Sequence, residues 1–320
     1  MNIFQIISEI EKVDPEVYDR LDSRRSIFKH MTGLGQKLTA AAVPLAVGAI
    51  FNKAYAQTPV GASVNDVLNF ALSLEYLESY FYQRGQAATA LQAGFSTTNK
   101  AALNLIATDE RNHVTFLRSV LGAAAIADPG AATFDFTGGK GGVPGPFADV
   151  FVNPATYLAV AQSLEDTGVR AYKGGAALLM SNKTVLTAAL NIHSVEARHA
   201  SRLRTMRRAG PMNDAASQSV SSGNLNSSPK SWISGTDNGG ASPAQTAPIY
   251  GAGNNTAAPT GVTFDAESNV TQGGVNLQTA LAALNIPAAA FSEAFDEALD
   301  VTTVKAIART FVVNGSTFLA

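Results

Sequence analysis

Two stretches of this chain carry the same residues in the same order. Glu75 is followed by Glu110-Arg111-Asn112-His113, and Glu165 by Glu196-Ala197-Arg198-His199. Each stretch supplies one isolated glutamate and one Glu-x-x-His, on segments whose apolar residues recur at helical spacing. These polar residues fall on the apolar stripes rather than on the outer faces. An ionised carboxylate inside a helix bundle is very costly unless it is paired or bound to a cation. Four of them close together repel and raise one another's pKa values. A fold that buries this set has to bring it onto cations, and four helices facing inward can do so.

The spacing predicts four long helices. The first covers residues 63–84 and stops at Gly85, with Val64, Leu68, Ala71, Glu75 and Tyr82 on its core face. The second runs from a Ser96-Thr97-Thr98 cap to the residue before Gly122, with Leu103, Ile106, Glu110, His113, Leu117 and Val120 inward. Asn153 as cap and Pro154 at the first helical position open the third. Its stripe is Leu158, Ala161, Glu165, Val169, Tyr172, Ala176 and Leu179. The fourth begins near Ser181-Asn182 and ends before Gly210-Pro211, with Val185, Ala189, Ile192, Glu196, His199, Leu203 and Met206 inward. Arg202, Arg204, Arg207 and Arg208 crowd its last turns, where the helix dipole favours positive charge.

Short links make helices one and two, and three and four, antiparallel hairpins. The link from Gly122 to Asn153 is long and rich in Gly and Pro. Its Gly138-Gly139-Lys140-Gly141-Gly142 run lacks the spacing of a phosphate loop and the Ser/Thr after Lys. It reads as flexible loop. The two hairpins also look like a repeat. Ser73-Leu74-Glu75 matches Ser163-Leu164-Glu165, and a tyrosine (Tyr82, Tyr172) follows each Glu by seven residues. An approximate twofold between the hairpins would set the two ligand sets face to face.

The chain has 320 residues, 46% hydrophobic and 15% charged, ample for a sizeable core. A net charge of −2 gives no reason to expect nucleic acid as a partner. The absence of cysteine excludes disulfides, iron–sulfur clusters and thiolate zinc sites. Residues 1–56 read as an export signal. Arg24-Arg25 resemble a twin-arginine pattern, an apolar run spans 38–51, and Ala54-Tyr55-Ala56 is a small-x-small cleavage pattern. That run is shorter than the ~18–20 residues of a membrane span. The competing reading is an amphipathic N-terminal helix that stays attached and can associate with a membrane.

Residues 57–210 then hold the bundle. Residues 211–265, rich in Ser, Asn, Gly, Ala and Thr, read as an extended region that Trp232 and Tyr250 pin to the bundle. Residues 266–320 form a tail of short helices at 277–284, 287–299 and 301–311.

The i, i+3 spacing of Glu-x-x-His puts both side chains on one helix face. The carboxylate can then bridge two metals while the imidazole binds one. Oxygen and nitrogen donors without sulfur suit two Fe or two Mn ions. The candidate ligands are Glu75, Glu110, His113, Glu165, Glu196 and His199. Glu78 falls off the stripe and reads as a neighbour of the ligands or a surface residue. His193 reads as surface, His30 lies in the signal, and Tyr82 and Tyr172 read as core packing.

At these residues the chain resembles the ferritin-like superfamily. Residues 68–75 are similar to the first-helix motif of bacterioferritin and rubrerythrin relatives. "LNFALSLEYLESYFY", "DERNH" and "FDEALDVTTVKAIARTF" resemble the exported ferritin-like-domain proteins, which include plant desiccation-related proteins. The resemblance implies an all-α ferritin-like four-helix bundle with a loop-rich C-terminal extension. It also implies terminal ligands at Glu75 and Glu165, bridging ligands at Glu110 and Glu196, and one metal for each of His113 and His199. The long extension departs from cage ferritins, and the lack of Cys pairs removes the electron relay of rubrerythrin.

Three functions follow as expectations. One is di-metal redox chemistry on O2 or peroxide: iron oxidation, peroxidase or catalase-like. Another is a non-catalytic envelope or stress-related structural protein. The third is metal sequestration by a homo-oligomer. The compartment expected is the periplasm or cell envelope.

Overall fold

The structure is a computed structural model that describes residues 62–214, 224–256, 258 and 262–320. The export-type segment at 1–56 lies outside them. Helix α1 (Val64–Ala87) opens with a reciprocal capping box between Ser63 and Asp66, a device that satisfies two otherwise orphaned N–H groups. It does not stop at Gly85. That glycine is there for a close approach: a Cβ on it would lie 2.3 Å from the Tyr157 hydroxyl. A single helical turn, Thr89–Ala93, leads to α2 (Thr97–Leu121), capped by Ser96 and ended at Gly122, whose φ is 53°. Helix α3 (Pro154–Ala176) carries the Asn153 cap and the N-terminal proline. Helix α4 (Lys183–Ala209) is capped by Asn182 and closed by Gly210.

The bundle consists of two tightly packed hairpins, α1 with α2 and α3 with α4, whose first helices α1 and α3 also touch; α2 and α4 meet sparsely. The predicted stripes are buried with one clear exception. Val120 is 44% exposed, because the buried stripe continues from Leu117 to Leu121, four residues on, rather than to Val120. Residues 160–172 of α3 are buried without interruption. A helix buried on every side needs a cover for its outer face, and the chain outside the bundle supplies it.

The crossover between α2 and α3 lays Phe134, Phe136 and Phe147 into the core, with Phe136 edge-on to Phe81 and Tyr157 stacked on Phe81. Its Gly-rich run is a hydrogen-bonded turn rather than a free loop. The Asp135 carboxylate accepts from Gly141 N at 2.7 Å and Thr137 Oγ1 at 2.7 Å, and Asn314 N donates to Lys140 O.

The C-terminal region wraps the outer face of α3. It holds α5 (Pro243–Tyr250), a two-residue hairpin (Thr271–Gln272 with Val275–Asn276), one helical turn Leu277–Ala280, α6 (Ala288–Glu293) and α7 (Val301–Ala308). The middle tail helix is thus shorter than the predicted 287–299. Two arginines fasten the wrap. Arg170 of α3, fully buried, donates to the carbonyls of Ile249, Gly251, Asp265, Glu297 and Ala298 and pairs with Glu267 at 2.9 Å. Arg204 of α4 pairs with Asp166 at 2.5 Å and Asp237 at 2.9 Å, and Tyr250 donates to Asp166 at 2.6 Å. Arg207 and Arg208 also reach this region, donating to the carbonyls of Asn226 and Pro229. The arginines at the end of α4 therefore serve as anchors, a larger role than complementing the helix dipole. Among the described residues no helix is long and apolar enough to cross a membrane.

Candidate metal centre

Each helix contributes to one cluster at mid-bundle. Glu75 comes from α1, Glu110 and His113 from α2, Glu165 from α3, and Glu196 and His199 from α4. The four carboxylates are fully buried, and the imidazoles are 8% and 6% exposed. Two groups of four converge: Glu75, Glu110, His113 and Glu196; and Glu110, Glu165, Glu196 and His199. Within each group one donor atom per residue lies within 4.8 Å of the others. Glu110 and Glu196 belong to both groups.

The distances resemble a coordination shell more than a hydrogen-bond network. His113 Nδ1 has three carboxylate oxygens around it: Glu75 Oε2 at 3.1 Å, Glu196 Oε1 at 3.2 Å and Glu110 Oε2 at 3.4 Å. His199 Nδ1 has Glu110 Oε1 at 2.9 Å and Glu165 Oε2 at 3.2 Å. One ring nitrogen carries at most one proton, so it cannot serve three acceptors. Ligands ~2.1 Å from an octahedral ion stand about 3 Å from their neighbours. All four oxygens of Glu110 and Glu196 lack a hydrogen-bond partner despite complete burial. The nearest histidine nitrogens are in range but not aligned with them. Such orphaned anionic atoms are costly, and a cation is the group that would satisfy them. The donor set, carboxylate and imidazole without sulfur, fits iron or manganese.

The electrostatics agree. Burial, then Glu196, pushes the Glu110 carboxyl up to about 7, and the two histidines oppose the rise. Burial, followed by Glu165 and Glu75, raises Glu196 well above the carboxylate range. Burial alone would lower both imidazoles. For His113 the carboxylates of Glu110, Glu196 and Glu75 reverse this, and for His199 those of Glu165 and Glu110 lift it to about 12. The cluster holds too much negative charge for its surroundings.

Two tyrosines read from the sequence as core packing have a polar role as well. Tyr82 of α1 donates to Glu165 Oε1 at 2.5 Å, and Tyr172 of α3 donates to Glu75 Oε1. Burial, then the facing glutamate, holds both phenols well above their ordinary pKa, so they remain donors. Each lone glutamate thus gives Oε1 to a tyrosine and turns Oε2 to a histidine. The seven-residue spacing in both halves was the available signal.

Glu78 is also buried, 3% exposed, and not a surface residue. Burial and the Glu196 carboxylate raise it well above the usual range. It fits because its counterpart in the repeat is Gly168. A Cβ there would lie 3.2 Å from Glu196 Oε2 and 3.4 Å from Glu78 Oε1. His193 is half-buried and its Nδ1 lies 2.9 Å from the Val169 carbonyl. Asp109, overlooked in the sequence reading, places Oδ2 3.2 Å from His199 Nε2. The adjoining motif letter in "DERNH" was its only signal.

Residues 63–209 match the sequence profile of the ferritin-like domain. That match, on a bundle of this connectivity, identifies the domain. The chain carries a ferritin-like domain. No curated protein and no solved structure matches it. The buried Glu and His groups of this ferritin-like domain are compatible with a di-metal carboxylate site.

Proposed function

We propose that the ferritin-like domain is a two-metal carboxylate centre for redox chemistry on O2 or peroxide. The observation that carries this is the double membership of Glu110 and Glu196 together with their orphaned oxygens. Glu75 and His113 would complete one metal position, Glu165 and His199 the other. A bound pair of iron or manganese ions would supply the electrons that O–O chemistry requires.

The protein's own residues have three tasks. Glu110 and Glu196 would each offer one oxygen to either position. Tyr82 and Tyr172 hold the outer oxygens of Glu165 and Glu75, fixing which oxygen faces inward. Complete burial of Glu75, Glu110, Glu165 and Glu196 keeps bulk water from the carboxylates. The histidines sit at the sparse α2–α4 seam, where small reactants and ions would enter.

Within this reading the signal-like residues 1–56 would send the protein to the periplasm or cell envelope. Non-catalytic metal sequestration uses the same ligands, and turnover separates it from catalysis. Protein loaded with Fe or Mn should consume peroxide or oxidise Fe2+ over many turnovers. Glu110→Ala should lose both the activity and the metal. Metal retention by wild type without turnover would leave sequestration and reject the catalytic reading.

A further inference from the structure

The repeat should give the two histidines matching surroundings, yet it does not. Asp109 stands one residue before Glu110 on α2 and crosses the seam to the Nε2 of His199, on α4, at 3.2 Å. The equivalent position on α4, one residue before Glu196, is Val195. Valine has no acceptor to offer His113. Among the described residues no hydrogen bond to His113 Nε2 is found, while its Nδ1 faces the carboxylates.

We infer that the two metal positions are unequal, and that Asp109 makes the Glu165–His199 position the one that binds a divalent cation first and more tightly. The inference rests on the two-metal reading above. A carboxylate on the far nitrogen of a ligating imidazole fixes its tautomer and ring orientation and makes Nδ1 a stronger donor. His199 has that partner on its Nε2, whereas the interactions of His113 are all made through Nδ1. Asp109 is 31% exposed, so solvent screens its charge, and the directional hydrogen bond carries most of the effect. Removing such a partner typically lowers metal affinity about 10–100-fold. Asp109 touches neither metal position and acts as a positioning residue through His199.

The test is Mn2+ titration of the full-length metal-free protein by calorimetry, with anomalous diffraction from crystals given one equivalent. Wild type should bind in two steps about 10–100-fold apart, and the one-equivalent crystal should show its peak beside His199. Asp109→Ala should weaken the first step by that factor and leave the other unchanged. Asp109→Asn, which keeps an acceptor, should recover part of the loss. Val195→Asp offers His113 a partner and should narrow the gap. Equal occupancy at one equivalent, or equal loss at both positions in Asp109→Ala, overturns the inference while the two-metal reading stands. No Mn2+ bound by wild type overturns both.

Discussion

Five buried carboxylates, Glu75, Glu78, Glu110, Glu165 and Glu196, face two imidazoles. Even with both imidazoles protonated, the metal-free core is short of positive charge. Removing one carboxylate should therefore help the empty protein and harm the loaded one. We predict that Glu110→Gln makes the chelator-treated protein more stable by about 1–4 kcal/mol, as when buried charge is replaced elsewhere. Chemical denaturation with and without Mn2+ checks this. The variant should also lose the stabilisation that Mn2+ gives wild type. A Glu110→Gln protein less stable than wild type in the absence of metal would show that the cluster is self-sufficient through its protons.

At the scale of elements, α3 is the hinge of the architecture. One face carries Glu165 and Tyr172 into the centre, and the opposite face carries Gln162, Asp166 and Arg170 into the C-terminal wrap. Arg170→Leu would strand five backbone carbonyls and Glu267 without their partner. Breaking a buried ion pair in this way costs about 3–5 kcal/mol. The expected result is a matching loss in urea denaturation and new proteolytic cleavage between residues 249 and 267. An unchanged denaturation midpoint would mean that the wrap is held by its apolar contacts alone. The four bundle helices were legible because starts and stripes agree: Ser96 and Asn153 cap as read from the sequence, and Ser63 and Asn182, expected only as helix starts, prove to be the caps of the other two. The wrap was legible only in Tyr250, which does pin the region to α3 through Asp166; Gln162, Asp166 and Arg170 gave no sign, because Gln, Asp and Arg at four-residue spacing look the same whether they face water or a covering chain.

For the whole molecule, the doubling of the hairpin places both ligand sets at one depth, and that much was visible in the repeat of Ser-Leu-Glu and Glu-x-x-His. What the repeat hid were its departures. Glu78 opposite Gly168 and Asp109 opposite Val195 are single-residue differences, and sequence spacing gives no weight to a small residue that merely opens room for its neighbour. The C-terminal wrap covers the outer face of α3, and the carboxylates of the centre are fully buried. The most direct measurement is anomalous diffraction from crystals of metal-loaded protein at the iron and manganese edges. Two peaks per chain are expected, both within bonding reach of Glu110 and Glu196, one beside His113 and the other beside His199. A carboxylate cluster with no anomalous peak in protein saturated with either metal would contradict the two-metal reading.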